Sequence, residues 1–306
     1  MAHIKQISLT NLRSFGKAEC RLSPFTLVVG ANNSGKTNFL RAFADYAAAS
    51  ALDTAPPPHR NSPDQKALVE LVTADGTPPD IRHPLPVYRF DPDAIGKPEA
   101  AAQSVPFVRE NGEGVTQVIE RLREEDSPAF AAIQSQFCSA ISEIESISLT
   151  TLPTGGKKMI MLQERGLTEK TPLSDVSEGT RLVLALLTAL HQKAPPPVIL
   201  IEDLDRALHP RLYERLVGII HRIVRDTGVQ IIATSHNPYL IDYFQDQPEA
   251  VVLVEKKDGM STLANLDDRL KAIDWDSPTV EEMPLGQMWF SGLVGGVPTL
   301  QRKPAA

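Results

Sequence analysis

The chain has 306 residues, with 31 Lys and Arg against 38 Asp and Glu, a formal net charge of −7. A net-negative molecule is no general glove for nucleic acid or anionic membrane, so any binding of that kind has to be local. Hydrophobic residues make up 42% and charged ones 23%, a globular balance, and the longest apolar stretch, residues 182–190 broken by Thr188, is far short of the ~20 residues of a membrane span.

The opening MAHIKQISLTNLRSF alternates apolar and polar residues without the apolar core of a secretory signal, so a cytoplasmic location and no membrane partner are expected. Ile4, Ile7 and Leu9 mark a first strand, and residues 25–29 a second β-branched and aromatic run that stops at Gly30. Residues 35–48 read as a helix, ended by a polar, proline-rich stretch over 53–64 with Pro56, Pro57 and Pro58, which is expected to be an exposed loop. Strands follow over 67–73 and 87–90, then helices over 115–124 and 128–145, the second with Ser127 as its N-cap. This middle, about residues 91–150, reads as an inserted helical lobe. Residues 146–152 and 158–163 flank Thr154-Gly155-Gly156-Lys157, a hairpin signal because paired glycines permit the positive φ of a tight turn. Beyond it the pattern is helix 178–192, strand 198–204, helix 210–226 and strand 229–235, which implies a parallel sheet wrapped by helices. A last hairpin pairs 250–255 with 262–266 through Asp258-Gly259. The fold class is therefore α/β: a mainly parallel sheet wrapped by helices, with an antiparallel β portion. Cys20 and Cys138 lie far apart without CxxC spacing, which excludes a disulfide framework or a cysteine-rich zinc site, and both are expected to be buried thiols.

Four segments carry chemistry. Gly30-Ala31-Asn32-Asn33-Ser34-Gly35-Lys36-Thr37 fits GxxxxGK[ST] between a strand and a helix, where glycines let backbone N–H groups curl around phosphate oxygens. Lys36 would neutralise phosphate and Thr37 would place its hydroxyl on Mg²⁺, while the helix start presents its positive dipole end to the anion. The apolar run 198–201 ends in Glu202-Asp203, two adjacent carboxylates at a strand end, which alternation lets take different tasks. Ser177 is a good N-cap for a very apolar helix whose first turn holds Gly179, a second anion-binding helix start. A strand over 231–235 ends in His236, which its place in this series makes a functional histidine.

In order, GANNSGKTN, SEGTR, VILIEDLDRALHP and ATSHNP resemble the ABC-type ATPases of the soluble, non-transporter branch, related to SMC, RecF and OLD-type proteins. They are most similar to the compact bacterial AAA-family ATPases without coiled coil or nuclease domain, whose motifs read SEGT, IEEPE and TSH. The resemblance spans nearly the whole chain, including Arg13-Ser14-Phe15, residues 112–122, Leu285-Gly286 and Trp289. It implies one P-loop NTPase domain of the ABC-head type over 1–306, with the nucleotide-binding core at 1–50 and 171–270 and a C-terminal extension at 271–306. It implies ATP as substrate with Mg²⁺, and an ATP-dependent homodimer. Gly30, Asn32, Asn33, Ser34, Gly35, Lys36, Thr37 and Asn38 stand at the Walker A loop, and Arg13 and Phe15 near adenine and ribose. Ser177, Glu178, Gly179 and Thr180 stand at the signature that contacts the nucleotide held by the other subunit. Glu202 stands at the Mg²⁺-organising acid, Asp203 at the catalytic glutamate and His236 at the switch histidine.

Departures from the family pattern modify that expectation. Asp203 is one methylene shorter than glutamate and reaches roughly 1 to 1.5 Å less far, so slow hydrolysis is expected. Leu204 replaces the usual proline, Asp205-Arg206-Ala207 replaces a Glu-Asn-Gly-like stretch, and Gln103 is a weak candidate for a Q-loop glutamine. The stretch between Thr37 and Ser177 is too short for an SMC coiled-coil arm, and that after His236 too short for an OLD-type nuclease domain. Three functions remain: an ATPase cycling through a head-to-tail dimer, a slow nucleotide-gated scaffold for a separately encoded effector such as an anti-phage nuclease or toxin, and a DNA-binding repair-type ATPase. Arg211, Arg215, Arg222 and Arg225 fall within about 80° of a helix following Pro210, either as a solvated side paired to acids such as Glu214 and Asp226 or as a docking strip for DNA or an acidic partner.

Overall fold

The computed structural model describes residues 3–52, 55–81, 84–100, 107–153, 155–273 and 283–297. In chain order these form β1 (Ile4–Leu12), β2 (Phe15–Arg21), β3 (Phe25–Val29), α1 (Lys36–Leu52), β4 (Leu68–Thr73), β5 (Val87–Tyr88), α2 (Pro92–Ile95), α3 (Val115–Glu125) and α4 (Ser127–Ala140). Next come β6 (Ile144–Thr151), β7 (Lys158–Glu164), β8 (Thr171–Pro172), α5 (Glu178–His191), β9 (Val198–Ile201), α6 (Tyr213–Thr227) and β10 (Gln230–Ser235). The last elements are α7 (Pro238–Ile241), β11 (Val251–Lys257), β12 (Met260–Asn265), α8 (Leu266–Leu270) and α9 (Leu285–Phe290). No described helix is long and apolar enough to cross a membrane. The chain divides into two compact units, one of residues 1–85, 200–205 and 230–306, the other of 86–199 and 206–229.

The first unit is built on a sheet with strand order β4-β1-β2-β12-β11-β3-β10-β9. β3, FTLVV, is buried at every position, as a strand covered on both faces must be. β10 and β11 flank it in parallel, with both Ser235 and Leu253 in register with Val29. The chain therefore leaves β3 at Gly30 and β10 at His236 from the same edge, the carboxyl edge at which open parallel sheets bind ligands. Antiparallel pairs lie outside this centre: β1 with β2, β1 with β4, and β11 with β12. β12 meets β2 at one parallel register point, Ser261 opposite Phe15. The proline-rich stretch is mostly exposed, as read from the sequence, but is anchored: His59 N–H donates to the Asn11 carbonyl, and Arg13 N–H to that of Pro57.

The second unit pairs β6, β7 and β8 into a small antiparallel sheet. Its central helix is α5, in which every residue from Gly179 to Leu190 except Arg181 is buried; a helix apolar all round belongs in a core. The buried Thr188 hydroxyl is satisfied by donating to the Leu184 carbonyl. Two boundaries correct the sequence reading. α4 stops at Ala140 and is capped by Asp126, whose side chain accepts from Ala129 N–H, not by Ser127. Its expected last residues instead open β6, where Ile144 and Ile147 are both buried because the register shifts between Ile144 and Ser146. Pro210–Leu212 form a separate 3₁₀ turn and α6 begins at Tyr213, so Arg211 precedes the helix that carries the other three arginines. Thr154 and Gln103 lie outside the described residues, as do 274–282 and 298–306.

Candidate functional site

The loop between β3 and α1 closes on itself. Asn33 at φ 63° and Gly35 at φ 120° both take left-handed backbone. A Cβ on Gly30 would lie 2.4 Å from the Val254 carbonyl oxygen, and one on Gly35 would lie 2.5 Å from Ser261 Oγ, so only glycine lets the loop lie this close to the β11–β12 hairpin. Lys36, 6% exposed, directs its ammonium at the Gly30 carbonyl (2.8 Å), the Ala31 carbonyl (2.9 Å) and His236 Nδ1 (3.0 Å). Those are all three of its donors. Burial lowers its pKa to about 8, against the opposing pull of Asp203, Asp205 and Glu202.

His236 joins the two sides of the site. Its Nδ1 accepts from Lys36, which leaves the proton on Nε2, and Nε2 lies 3.2 Å from Asp203 Oδ1. Asp203 itself sits at φ 54°, a left-handed conformation that Asp tolerates better than most residues. Thr234 of β10 fixes this turn: its hydroxyl accepts from Asp203 N–H and its carbonyl from Leu204 N–H, both at 2.9 Å. Glu202, one residue earlier, accepts from the Thr37 hydroxyl. Asp205 Oδ1 is buried with no hydrogen-bond partner among the described residues.

This donor set fits Mg²⁺ and a polyphosphate. A threonine hydroxyl touching one carboxylate is the kind of sparse oxygen set Mg²⁺ takes when phosphates and waters complete its shell. Among the described residues no group of three or more His, Cys, Asp or Glu forms an all-protein metal cage.

The remaining predicted residues divide. Arg13 makes a bidentate ion pair with Asp45 of α1, both contacts at 2.8 Å. Phe15 is 0% exposed in β2, so its ring packs the core and offers no face to a nucleotide, which corrects the expectation for that residue. Asn32 and Asn33 are exposed, and Asn38 Nδ2 donates to Ser14 Oγ. In the second unit Ser177 caps α5 by accepting from Thr180 N–H at 3.2 Å. Ser177 and Glu178 are exposed, whereas Gly179 and Thr180 are buried. A Cβ on Gly179 would stand 2.6 Å from the Ala207 carbonyl oxygen. Arg215 donates to the Ser139 and Ala140 carbonyls at the end of α4, and Arg225 pairs with Asp226; Arg222 and Arg211 are exposed. Sequence reasoning gave no role to Thr234 and Ser14, although they lie within the quoted ATSHNP and Arg13-Ser14-Phe15 segments, nor to Ser261, because the partners of a single hydroxyl are fixed only when the sheet brings them together.

A phosphate loop leaving the central parallel strand β3, acids leaving β9 two places away and a histidine leaving β10 between them define a P-loop ATPase fold. The chain belongs to the family described as AAA domain, putative AbiEii toxin, Type IV TA system, whose model matches residues 86–242; the AAA ATPase domain model matches residues 3–47. Among solved structures it is similar to an SMC head bound to the C-winged helix domain of ScpA, at 17% identity and a TM-score of 0.58 over 88% of this chain and 99% of that one. It is also similar to the SMC head domain with an extended coiled coil bound to the C-terminal domain of ScpA from Pyrococcus furiosus, at 16% identity and a TM-score of 0.54 over 89% and 98%. A comparison with curated proteins gave no match.

Proposed function

We propose that the protein is a slow, Mg²⁺-dependent ATPase whose ATP-bound form is a head-to-tail homodimer, each copy's Ser177–Glu178 helix start completing the site of the other. The observation that carries this reading is the continuous array Lys36–His236–Asp203 beside the Thr37–Glu202 contact. Thr37 and Glu202 would hold Mg²⁺, which supplies charge neutralisation for the phosphates. Asp203, oriented by the Nε2–H of His236, is placed to orient and accept a proton from an attacking water. Lys36 exchanges its loop carbonyls for phosphate oxygens, and the N-terminal amides of α1 supply further donors.

Phosphate release from ATP by the purified chain is the direct test. Lys36→Ala is expected to abolish nucleotide binding, while Asp203→Asn is expected to bind ATP normally and turn over at least a hundredfold more slowly. Unchanged turnover in Asp203→Asn rejects the assigned role. A second reading, in which the ATP-bound dimer serves as a gated scaffold for a separate effector, is favoured by the short Asp203 side chain. It predicts that a single turnover takes longer than the lifetime of an effector complex.

A further inference from the structure

The β11–β12 hairpin contributes a residue to the phosphate loop that no motif marks. Ser261 is 1% exposed, and its hydroxyl lies 2.6 Å from the Ser34 carbonyl oxygen and 2.9 Å from Ser14 Oγ. A carbonyl can only accept, so the single Ser261 proton goes to Ser34. The contact between the two hydroxyls is then donated by Ser14, whose oxygen accepts from Asn38 Nδ2 at 3.0 Å. The result is a one-way chain, Asn38 to Ser14 to Ser261 to the Ser34 carbonyl, with each hydroxyl donating once. It is fixed at the hairpin by the Ser261 N–H, which donates to the Ser14 carbonyl at 2.7 Å.

In a trans peptide the C=O and N–H point in opposite directions within one plane. The bond between Ser34 and Gly35 is trans, so whatever holds the Ser34 carbonyl also sets where the Gly35 N–H points. On the reading of this loop as a nucleotide site, we propose that Ser261 is a positioning residue: it pulls the Ser34 carbonyl toward the hairpin and thereby aims the Gly35 N–H into the concave face that receives phosphate. Gly35 has to be glycine for the same contact, since its Cβ would displace the Ser261 hydroxyl.

The test compares wild type with Ser261→Ala, Ser261→Cys and Ser14→Ala. Affinities for ATP, ADP and inorganic tripolyphosphate are measured by calorimetry, and the Gly35 amide resonance is followed in nucleotide-free, glycine-labelled protein. Losing one such bond is expected to weaken all three ligands alike, by about fivefold in Ser261→Ala. Ser261→Cys, a weak donor of similar size, is expected to fall in between, and Ser14→Ala, which leaves the Ser261–Ser34 bond in place, to lose about twofold or less. The Gly35 amide is expected to shift in Ser261→Ala without any ligand, which a general loss of stability would not single out. Wild-type affinity in Ser261→Ala together with an unmoved Gly35 amide overturns the proposal, and so does a loss confined to the base-containing ligands. If Ser261→Ala does not fold, the Cys and Ser14 variants decide it by the same ordering. Failure of the wild type to bind any of the three ligands overturns the nucleotide reading itself, an outcome distinct from both.

Discussion

At the level of single residues, Asp203 departs furthest from the simple comparison of side-chain lengths. The sequence argument treats it as a glutamate with a methylene missing. In the structure the residue turns through φ 54° and is held there by Thr234 and His236, so the backbone, and not the side chain alone, aims the carboxylate. Asp and Asn are the non-glycine residues that relieve left-handed backbone through local hydrogen bonds, and others pay about 1–2 kcal/mol there. Asp203→Glu is therefore expected to lower thermal stability by about 1 kcal/mol and to leave phosphate release equal or slower; a tenfold faster enzyme rejects this account. Lys36, Thr37, Glu202 and His236 were legible in the sequence because motif spacing reports them. Thr234, Ser14, Ser261 and the buried Asp205 oxygen were not, since their partners lie on other strands or in other loops and only register unites them.

At the level of elements, α5 shows what the apolar pattern can and cannot reveal. Its helical nature and its serine cap follow from sequence, but the reason for Gly179 does not: a side chain there would press on the Ala207 carbonyl. Gly179→Ala is expected to destabilise the protein by about 2 kcal/mol through overpacking, more than the ~1 kcal/mol for losing the cap in Ser177→Ala; thermal melts that reverse this order reject the close-packing explanation. Any substitution at Gly179 thus disturbs the fold before it can report on nucleotide contact, so the exposed Ser177 and Glu178 are the better probes. The other end of α5 is sensitive to pH. Burial lowers the pKa of His191, whose Nε2 lies 2.9 Å from the Gln136 side-chain oxygen. A histidine that resists protonation in the folded state contributes stability above its unfolded pKa of about 6.5, and that contribution is lost progressively as pH falls below this value toward and through the lower folded-state pKa. The melting temperature is expected to drop between pH 7.5 and 5.5, and less in His191→Gln; equal drops exclude His191 as a source. The α4 boundary is not visible in the sequence because helical and strand patterns overlap for a few residues around Ile141 and Ile144, and only tertiary pairing with β7 chooses between them.

At the level of the whole molecule, motif order revealed the class of fold, while the division into two units was not legible, because the chain crosses between them around residues 200–205, with no change in composition to mark it. The proposed dimerisation belongs to this scale. ATP with Mg²⁺ is expected to double the mass of Asp203→Asn by light scattering, and adding Glu178→Arg is expected to abolish the doubling while ATP affinity stays within about twofold; a persistent dimer rejects the trans arrangement. The net charge of −7 sets a further condition on that ligand, and Lys36 meets it. Since its three donors are already matched to two carbonyls and an imidazole, an arriving anion gains nothing from relieving a stranded ammonium. It has to outcompete neutral acceptors that are held in place, and only concentrated charge does so. The loop is therefore expected to discriminate by anion valence: ATP and ADP should displace the internal acceptors more readily than AMP, and equal calorimetric affinities for ATP and AMP would reject this.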